Sequence, residues 1–518
     1  MSAQGTGPHP VHSDTGLAHG TMSQLDVMAQ SVAGIAPSAA MATTPALIAL
    51  YAGQGAWLSY VAATVVVILV GLVATQFGRR FASSGSLYSY VARGLGPGGA
   101  FAAGWGLVIG YAFIAMIGVI GTGIYFGSFL TLLGLPVGGT LAVCIILAVA
   151  AVGAAAFAII GIKISTRVGL VLEIVSVAAI LLVLIAVLVG SGARGTTTPF
   201  DLSTLSFDGV AFGIVLGVLG FVGFESAASL GAEARNPHRA IPRAVLGSAV
   251  LVGILYVFAA YTLVRGFGDP NALSSSTAPI SDLAGQYGLG GVSWIVDLGI
   301  TASFFAVTIA CINASSRILY TMGEEDILPR ALGRAHSTYK TPHVAIGLIA
   351  PVVLVVPIIL VVSGMTPLNV ITYTGTIGTF GYMLAYVLMA VALPFFLRKR
   401  DEFNPLSAVL AVVVVAALLY VFYKNVIPVP EYPLNLMPWI FLGLVVLGLA
   451  WYAVARARRP QLVEEVGSFE EEPVPPHARH RHRSPSSGGP AASAEPTSSP
   501  PPERTRSDRP QENPHEKQ

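Results

Sequence analysis

From about residue 28 to residue 456 the chain consists of apolar runs of 17 or more residues, separated by short polar breaks. A helix needs about 20 residues to cross about 30 Å of hydrocarbon, and roughly twelve such runs are present: 30–51, 57–77, 101–128, 139–160, 168–190, 209–230, 244–264, 292–320, 343–363, 369–396, 405–423 and 435–455. The runs are continuous and do not alternate, so helices are expected and not a β-barrel, whose strands alternate apolar and polar residues. Composition agrees. Charged residues make up only 10% of the chain and hydrophobic ones 54%, with a mean hydropathy of +0.72; a soluble domain carries about 25% charged residues. The expected class is an all-α integral membrane protein with a lipid bilayer around it.

Charge in the loops sets an orientation. Arg79, Arg80 and Arg93, then Lys163 and Arg167, Arg235, Arg239 and Arg243, Arg330, Arg334 and Lys340, and Arg398, Lys399 and Arg400 fall in one set of alternating loops. The other set holds only Arg194, Arg265 and Lys424. The positive-inside rule places the first set in the cytoplasm, and an even number of crossings puts both termini there, in a multi-pass protein of the plasma membrane. Residues 1–27 are polar and read as a disordered lead; residues 457–518, rich in Pro, Ser, Glu, Arg and His, read as a disordered tail. In that tail HARHRHR, residues 477–483, reads as a solvated charge run rather than a metal or anionic-lipid site. No basic region precedes the first apolar run, so no cleaved signal peptide is expected.

Several function classes drop out. A net charge of +2 gives a nucleic-acid partner no support. Cys144 and Cys311 both lie in apolar runs, with no CxxC pattern. The spans contain no HExxH pair, GxSxG elbow or P-loop, so neither an enzyme nor an ATP-driven pump is expected, and no cofactor or metal.

Two spans are interrupted. The first holds SVAGIAPSAAMATTP, with Gly34 and Pro37 near its middle; the sixth holds GVLGFVGFESAAS, with Gly217, Gly220, Gly223 and the acid Glu225. A single break of this kind reads as a kink or a close helix contact. Breaks at matching positions of two halves, five helices apart, point instead to a transporter binding site. An unwound segment bares backbone groups that lipid cannot satisfy and a small zwitterion can. The helix end after Pro37 offers N–H groups and a positive dipole end to a carboxylate; carbonyls near Phe221, Val222 and Gly223 offer acceptors to an ammonium. The RNPHRAIPR stretch after Glu225 reads as a cytoplasmic loop whose two prolines stop the helix.

These motifs carry a resemblance. GFESAASLGAEARNPHRAIPRAV resembles the sixth helix and following loop of the amino acid–polyamine–organocation (APC) superfamily of permeases, of the amino acid permease type. NASSRILYTMGEEDILPRALGRAHSTYKTPHVA resembles their eighth helix and following loop, SSGSLYSYVARGLGPGGAFAAGW their loop between helices two and three, and GIKISTRVGLVLE their fourth-to-fifth connection. The resemblance implies a LeuT-like five-plus-five inverted repeat with discontinuous helices one and six, and two accessory helices. The division is then 28–190 for the first repeat, 191–396 for the second and 397–456 for the accessory pair. It also implies secondary transport of amino acids or related amines. The pattern departs in three places: Ala36-Pro37-Ser38-Ala39 replaces a Gly-small-Gly break, Leu219 stands where some relatives carry an aromatic gate, and Ser176 aligns with the helix-five lysine of some proton-coupled relatives.

The substrate-binding candidates are Ile35, Ala36, Pro37, Ser38 and Ala39 in the first break, Phe221, Val222, Gly223 and Phe224 in the sixth, and Tyr111 on the third helix, with simple packing as the other reading for Tyr111. Three residues are candidates for coupling or gating. Glu225 either caps freed N–H groups and takes up a proton or is a structural hydrogen-bonding group. Glu173 is either a proton-coupling group or part of an ion pair with Lys163 or Arg167. Arg317 either bridges to an acid or lipid headgroup or gates the inner path with an acid on helix five or six. Ser303, Thr308, Ser315 and Ser316 are sodium ligands or bond their own backbone. The expected function is alternating-access uptake of a neutral or apolar amino acid with a proton as coupling ion. Amino acid exchange, a polyamine or cationic-amine permease, and a non-transporting amino acid sensor are the alternatives.

Overall fold

The computed structural model describes residues 20–458 except 136, 193–205, 277, 428, 430 and 431. Arg194, residues 1–19 and the tail from 459, with its histidine-rich stretch, lie outside the described residues. Eleven described segments are long and apolar enough to cross a membrane. The first, Gln24–Gly78, has 55 residues, about 80 Å of helix at ~1.5 Å per residue. It is divided into α1 (Gln24–Ile35), α2 (Pro37–Ala52) and, after a 3₁₀ turn at Gly53–Gly55, α3 (Ala56–Gly78). That segment therefore supplies two crossings, α1 with α2 and then α3, and the total is twelve. The others are α4 (Leu87–Leu132), α5 (Thr140–Ile160), α6 (Ile162–Gly192), the sixth crossing formed by α7 (Phe207–Leu219) and a 3₁₀ segment Phe224–Leu230, and α8 (Pro237–Phe267). After the short helices α9 (Pro270–Ser275) and α10 (Pro279–Gln286) come α11 (Ser293–Glu324), α12 (His343–Val362), α13 (Pro367–Lys399), α14 (Pro405–Val426) and α15 (Met437–Arg458). No strand is assigned among the described residues.

Three local expectations are corrected. The chain is helical from Gln24, inside the stretch read as a disordered lead, because Ser23 and Asp26 form a capping box that satisfies the first N–H groups. The stretch 83–105, read as a loop, is helical from Leu87; its non-helical point is Gly96, at φ 76°, immediately before Pro97. The prolines of RNPHRAIPR do not stop a helix. Pro237 opens α8 at its first position, where a missing N–H costs nothing, and Pro242 is accommodated inside α8.

Both expected discontinuities are present. α1 ends and α2 begins at Ala36, which takes the left-handed conformation at φ 51°, ψ 63°. The sixth crossing unwinds through Gly220–Gly223, with Gly223 at φ 98°. The two breaks lie backbone to backbone. A Cβ on Gly34 would stand 2.8 Å from the Gly223 carbonyl oxygen, and one on Gly223 would stand 2.5 Å from the Gly34 carbonyl oxygen. Hydroxyls tie the strands together: Ser31 donates to the Phe224 carbonyl at 2.6 Å and Ser226 to the Gln30 carbonyl at 3.0 Å. Tyr256 of α8 donates to the Gly220 carbonyl at 2.6 Å. The Tyr256 bond gives a partner to a carbonyl in the unwound stretch, where no helical donor reaches it.

Around the breaks, α4 lies along α13 and α11. A Cβ on Gly106 of α4 would stand 2.9 Å from the Gly381 carbonyl of α13, so that crossing needs small residues at its contact. The loops of the basic set are knitted together: Arg80 with Glu402 at 2.5 Å, the Lys399 Nζ with the Arg93 carbonyl at 3.2 Å, and Arg243 with the Gln24 Oε1 at 3.2 Å. At the other end Asp297 accepts from Ser128 at 2.7 Å and Ser281 at 2.9 Å, joining α4, α10 and α11.

Two substitutions at the breaks act in opposite directions. Gly34→Ala pushes a methyl into the Gly223 backbone and costs about 1–3 kcal/mol, read as a lower melting temperature of the purified protein. Ala36→Gly removes a left-handed alanine worth about 1–2 kcal/mol of strain, offset in part by the freedom glycine adds to the unfolded chain, and raises it slightly. A third expectation concerns pH. The Arg80 hydrogen bond holds the Glu402 carboxyl below the ordinary glutamate range. A carboxyl lowered on folding stabilises above its unfolded pKa, and that contribution is lost as pH falls through its folded value. Glu402→Gln therefore lowers stability at pH 7 by no more than about 1 kcal/mol, and the difference from the parent protein closes in acid, below the usual glutamate range.

Candidate functional site

The first turn of α2 presents three possible donors after Pro37, which has none. The Ser38 N–H donates to Glu173 Oε1 at 2.8 Å, the Ala39 N–H to the Ser303 Oγ at 3.2 Å, and the Ala40 N–H to the Ala36 carbonyl at 3.1 Å. The Ser38 hydroxyl also donates to Glu173 Oε1, at 2.8 Å. The carboxylate expected at this helix end is thus supplied by α6 of the chain itself. On the other side of the break, Pro37 gives the Ala33 carbonyl no donor. The Ser38 and Ala39 N–H groups, directed elsewhere, leave the Gly34 and Ile35 carbonyls without their helical donors. The first break therefore offers acceptors at the end of α1 and donors, already engaged, at the start of α2.

The sixth crossing has its own acid. Glu225 is fully buried, accepts from the Tyr111 hydroxyl of α4 at 2.7 Å and is bonded by the Tyr386 hydroxyl of α13. Two phenols can hold either protonation state: both donate to a carboxylate, and one turns to accept from a carboxylic acid. The close α4–α13 crossing is what brings these hydroxyls to one group. Tyr382, one turn before Tyr386, stands edge-on to Tyr111 at 5.0 Å between ring centroids.

The structure thus brings Ile35, Ala36, Pro37, Ser38 and Ala39 together with Val222, Gly223 and Glu225, all buried. Tyr111 is a hydrogen-bonding partner as well as a packing residue. Phe221 packs edge-on to Tyr256 at 4.9 Å, and Phe224 lies 5.8 Å from the Tyr386 ring and against Gly71 of α3. Glu173 makes no ion pair with Lys163 or Arg167. Arg167 bonds Asp26 at 2.7 Å, which leaves Glu173, 1% exposed, inside the bundle. Of the hydroxyls considered for sodium, Thr308, Ser315 and Ser316 donate to carbonyls of their own helix, at 2.9, 2.7 and 3.0 Å, and Ser303 serves Ala39.

Arg317 is shielded from lipid headgroups. It and Glu233 are each 1% exposed and pair at 2.9 Å, and its Nη1 donates to the Asn313 carbonyl at 3.1 Å. Beside this pair the Met22 N–H bonds the Glu233 carbonyl at 2.9 Å and the Arg235 N–H bonds the Met22 carbonyl at 3.0 Å, so the segment before α1 is strapped to the end of the sixth crossing. Sequence reasoning missed Tyr386, Glu233 and Asp26. Tyr382 and Tyr386, spaced one helical turn apart in an apolar run, were a usable signal; nothing in the local sequence says which acid pairs with Arg317.

Comparison with known proteins bears on this geometry. The amino acid permease family matches residues 22–450. A branched-chain amino acid permease of Bacillus subtilis (strain 168) is 26% identical over 418 residues, 77% of this chain and 86% of that one. A branched-chain amino acid permease of Lactococcus lactis subsp. cremoris (strain MG1363) is 29% identical over 331 residues, 60% of this chain and 70% of that one. A low-affinity putrescine importer of Escherichia coli (strain K12) is 26% identical over 302 residues, 57% of this chain and 65% of that one. The family match spans both broken crossings and every helix packed on them, and on that ground the chain belongs to the amino acid permease family of the APC superfamily, as a multi-span membrane transporter.

Proposed function

We propose that this permease moves a neutral, apolar amino acid across the plasma membrane by alternating access, coupled to inward proton movement. The observation that carries the reading is the pair of facing breaks, the first with the Glu173 carboxyl group on a freed donor and the second with the buried Glu225 just beyond its unwound stretch. An α-amino acid has one ammonium and one carboxylate, and the first break offers carbonyl acceptors and N–H donors on its two sides. Two relatives named as branched-chain amino acid permeases support an apolar side chain. In this reading Glu225 and Glu173 handle the proton. The Arg317–Glu233 pair is the inner gate, and its rupture opens the path toward the basic loops, which together with both termini face the cytoplasm. The repeats divide as 28–190 and 191–396, with 397–456 as accessory helices.

A second reading has its own support. Two buried carboxyl groups near one centre, with no cationic side chain bonded to either among the described residues, suit a cationic amine, and one relative is named as a putrescine importer.

Uptake into proteoliposomes separates the two. Labelled leucine or valine is expected to accumulate when the lumen is made alkaline, to be lost when a protonophore collapses the gradient, and to be unaffected by excess putrescine. Accumulation of putrescine with none of leucine would reverse the choice. Arg317→Ala leaves a buried acid unpaired, which costs about 3–5 kcal/mol, and is expected to abolish accumulation and lower the melting temperature together.

A further inference from the structure

Glu173 stands where the carboxylate of an amino acid would have to stand. Among the first four residues of α2, Pro37 has no N–H, Ala40 bonds within the helix, and the Ser38 and Ala39 N–H groups are taken by Glu173 and Ser303. A carboxylate arriving at this helix end finds no unengaged donor and must displace a resident. Ser303 gives one acceptor to one N–H and its hydroxyl lies beside the Glu173 carboxyl, whereas Glu173 holds both the N–H and the hydroxyl of Ser38 on a single oxygen. Its other oxygen, Oε2, is buried and has no hydrogen-bond partner, and neither does the Oγ of Ser176, one turn further along α6 and packed on Gly299 of α11. The titratable and polar groups facing Glu173 are Ser38 from α2, Ser303 from α11 and the Tyr256 phenol from α8. No cation is among them. Arg167 is paired with Asp26 and Arg317 with Glu233.

We infer that Glu173 is a resident carboxylate that yields the Ser38 donors to the substrate's carboxylate only by taking up a proton. Two ionised carboxylates on the same two donors, in an environment with little water, repel each other strongly. The exchange balances without any covalent change in the substrate. One proton passes from the entry side to a Glu173 oxygen. The two Ser38 hydrogen bonds break from Glu173 and re-form to the incoming carboxylate. When the substrate leaves, the proton leaves on the same side and Glu173 returns to Ser38. The proton is thus tied to the carboxylate of the substrate. An analogue that keeps the ammonium and side chain but lacks the carboxylate binds at the α1 carbonyls without calling for it.

This rests on the amino acid reading above, and the test separates the two. Binding of leucine and of leucinol, its carboxylate-free analogue, is measured on the full-length purified protein from pH 5.5 to 8.5, and leucine-driven proton entry is followed with a pH dye trapped in proteoliposomes. Leucine affinity is expected to fall by up to about tenfold per pH unit on the alkaline side, the slope of one linked proton, while leucinol affinity stays level. Glu173→Gln, which is neutral at every pH, is expected to flatten the leucine profile and to exchange labelled leucine across the membrane with no proton entry. Parallel profiles for leucine and leucinol in the parent protein overturn the proposal, even if the variant does not fold; so does a Glu173→Gln protein that keeps both the pH slope and the proton entry. Failure to bind or exchange any neutral amino acid overturns the amino acid reading itself, and this proposal with it.

Discussion

The whole arrangement answers one constraint: backbone amides released from a helix at bilayer depth must find partners in a place where water and lipid supply none. Each feature near the breaks meets part of that demand. Glu173 and Ser303 take the donors at the start of α2. Ser31, Ser226 and Tyr256 give donors to carbonyls of Phe224, Gln30 and Gly220. Gly34 and Gly223 let the end of α1 and the unwound sixth crossing approach with nothing between them. What stays without a partner includes Glu173 Oε2 and the Ser176 Oγ, beside the α1 carbonyls that lost their helical donors.

The two ends of the bundle are closed by different means. At the basic end, a desolvated Arg317–Glu233 pair, the Asp26–Arg167 bridge and the Met22 strap lie below the breaks. At the opposite end, Asp297 gathers two serine hydroxyls, and Arg265 donates to Ser191 at 3.0 Å and to Tyr261 at 3.2 Å. A buried ion pair is stable while paired and costly when one partner is removed.

Much of this was legible in the residues. The apolar runs gave the crossings, because hydrocarbon thickness fixes helix length whatever the neighbours are. Gly34 with Pro37, and Gly220 with Gly223, gave the breaks, because those residues weaken helices locally. Glu225 and Arg317 stood out as charged groups in apolar surroundings. Other features were hidden for equally physical reasons. Pro237 opens a helix or ends one with the same residue, and only the chain direction before it decides which. The span 83–105 has the glycines of a loop, yet Leu87 onward is helical because those glycines, Gly96 aside, take helical dihedrals. Glu173 lies near Lys163 and Arg167 in sequence, so a local ion pair was the natural expectation; the fold instead directs Arg167 to Asp26 and Glu173 to α2.

The sequence alone determined that this chain crosses a membrane many times, where its helices come apart, and which charged groups sit at depth. These properties follow from length, hydropathy and backbone propensity, all of which act within a single segment. Only the tertiary structure decided that the breaks touch each other, that Tyr111 and Tyr386 converge on Glu225, and that Glu173 holds the donors of α2. Those are contacts between segments more than a hundred residues apart, set by the packing of whole helices and specified by no local pattern.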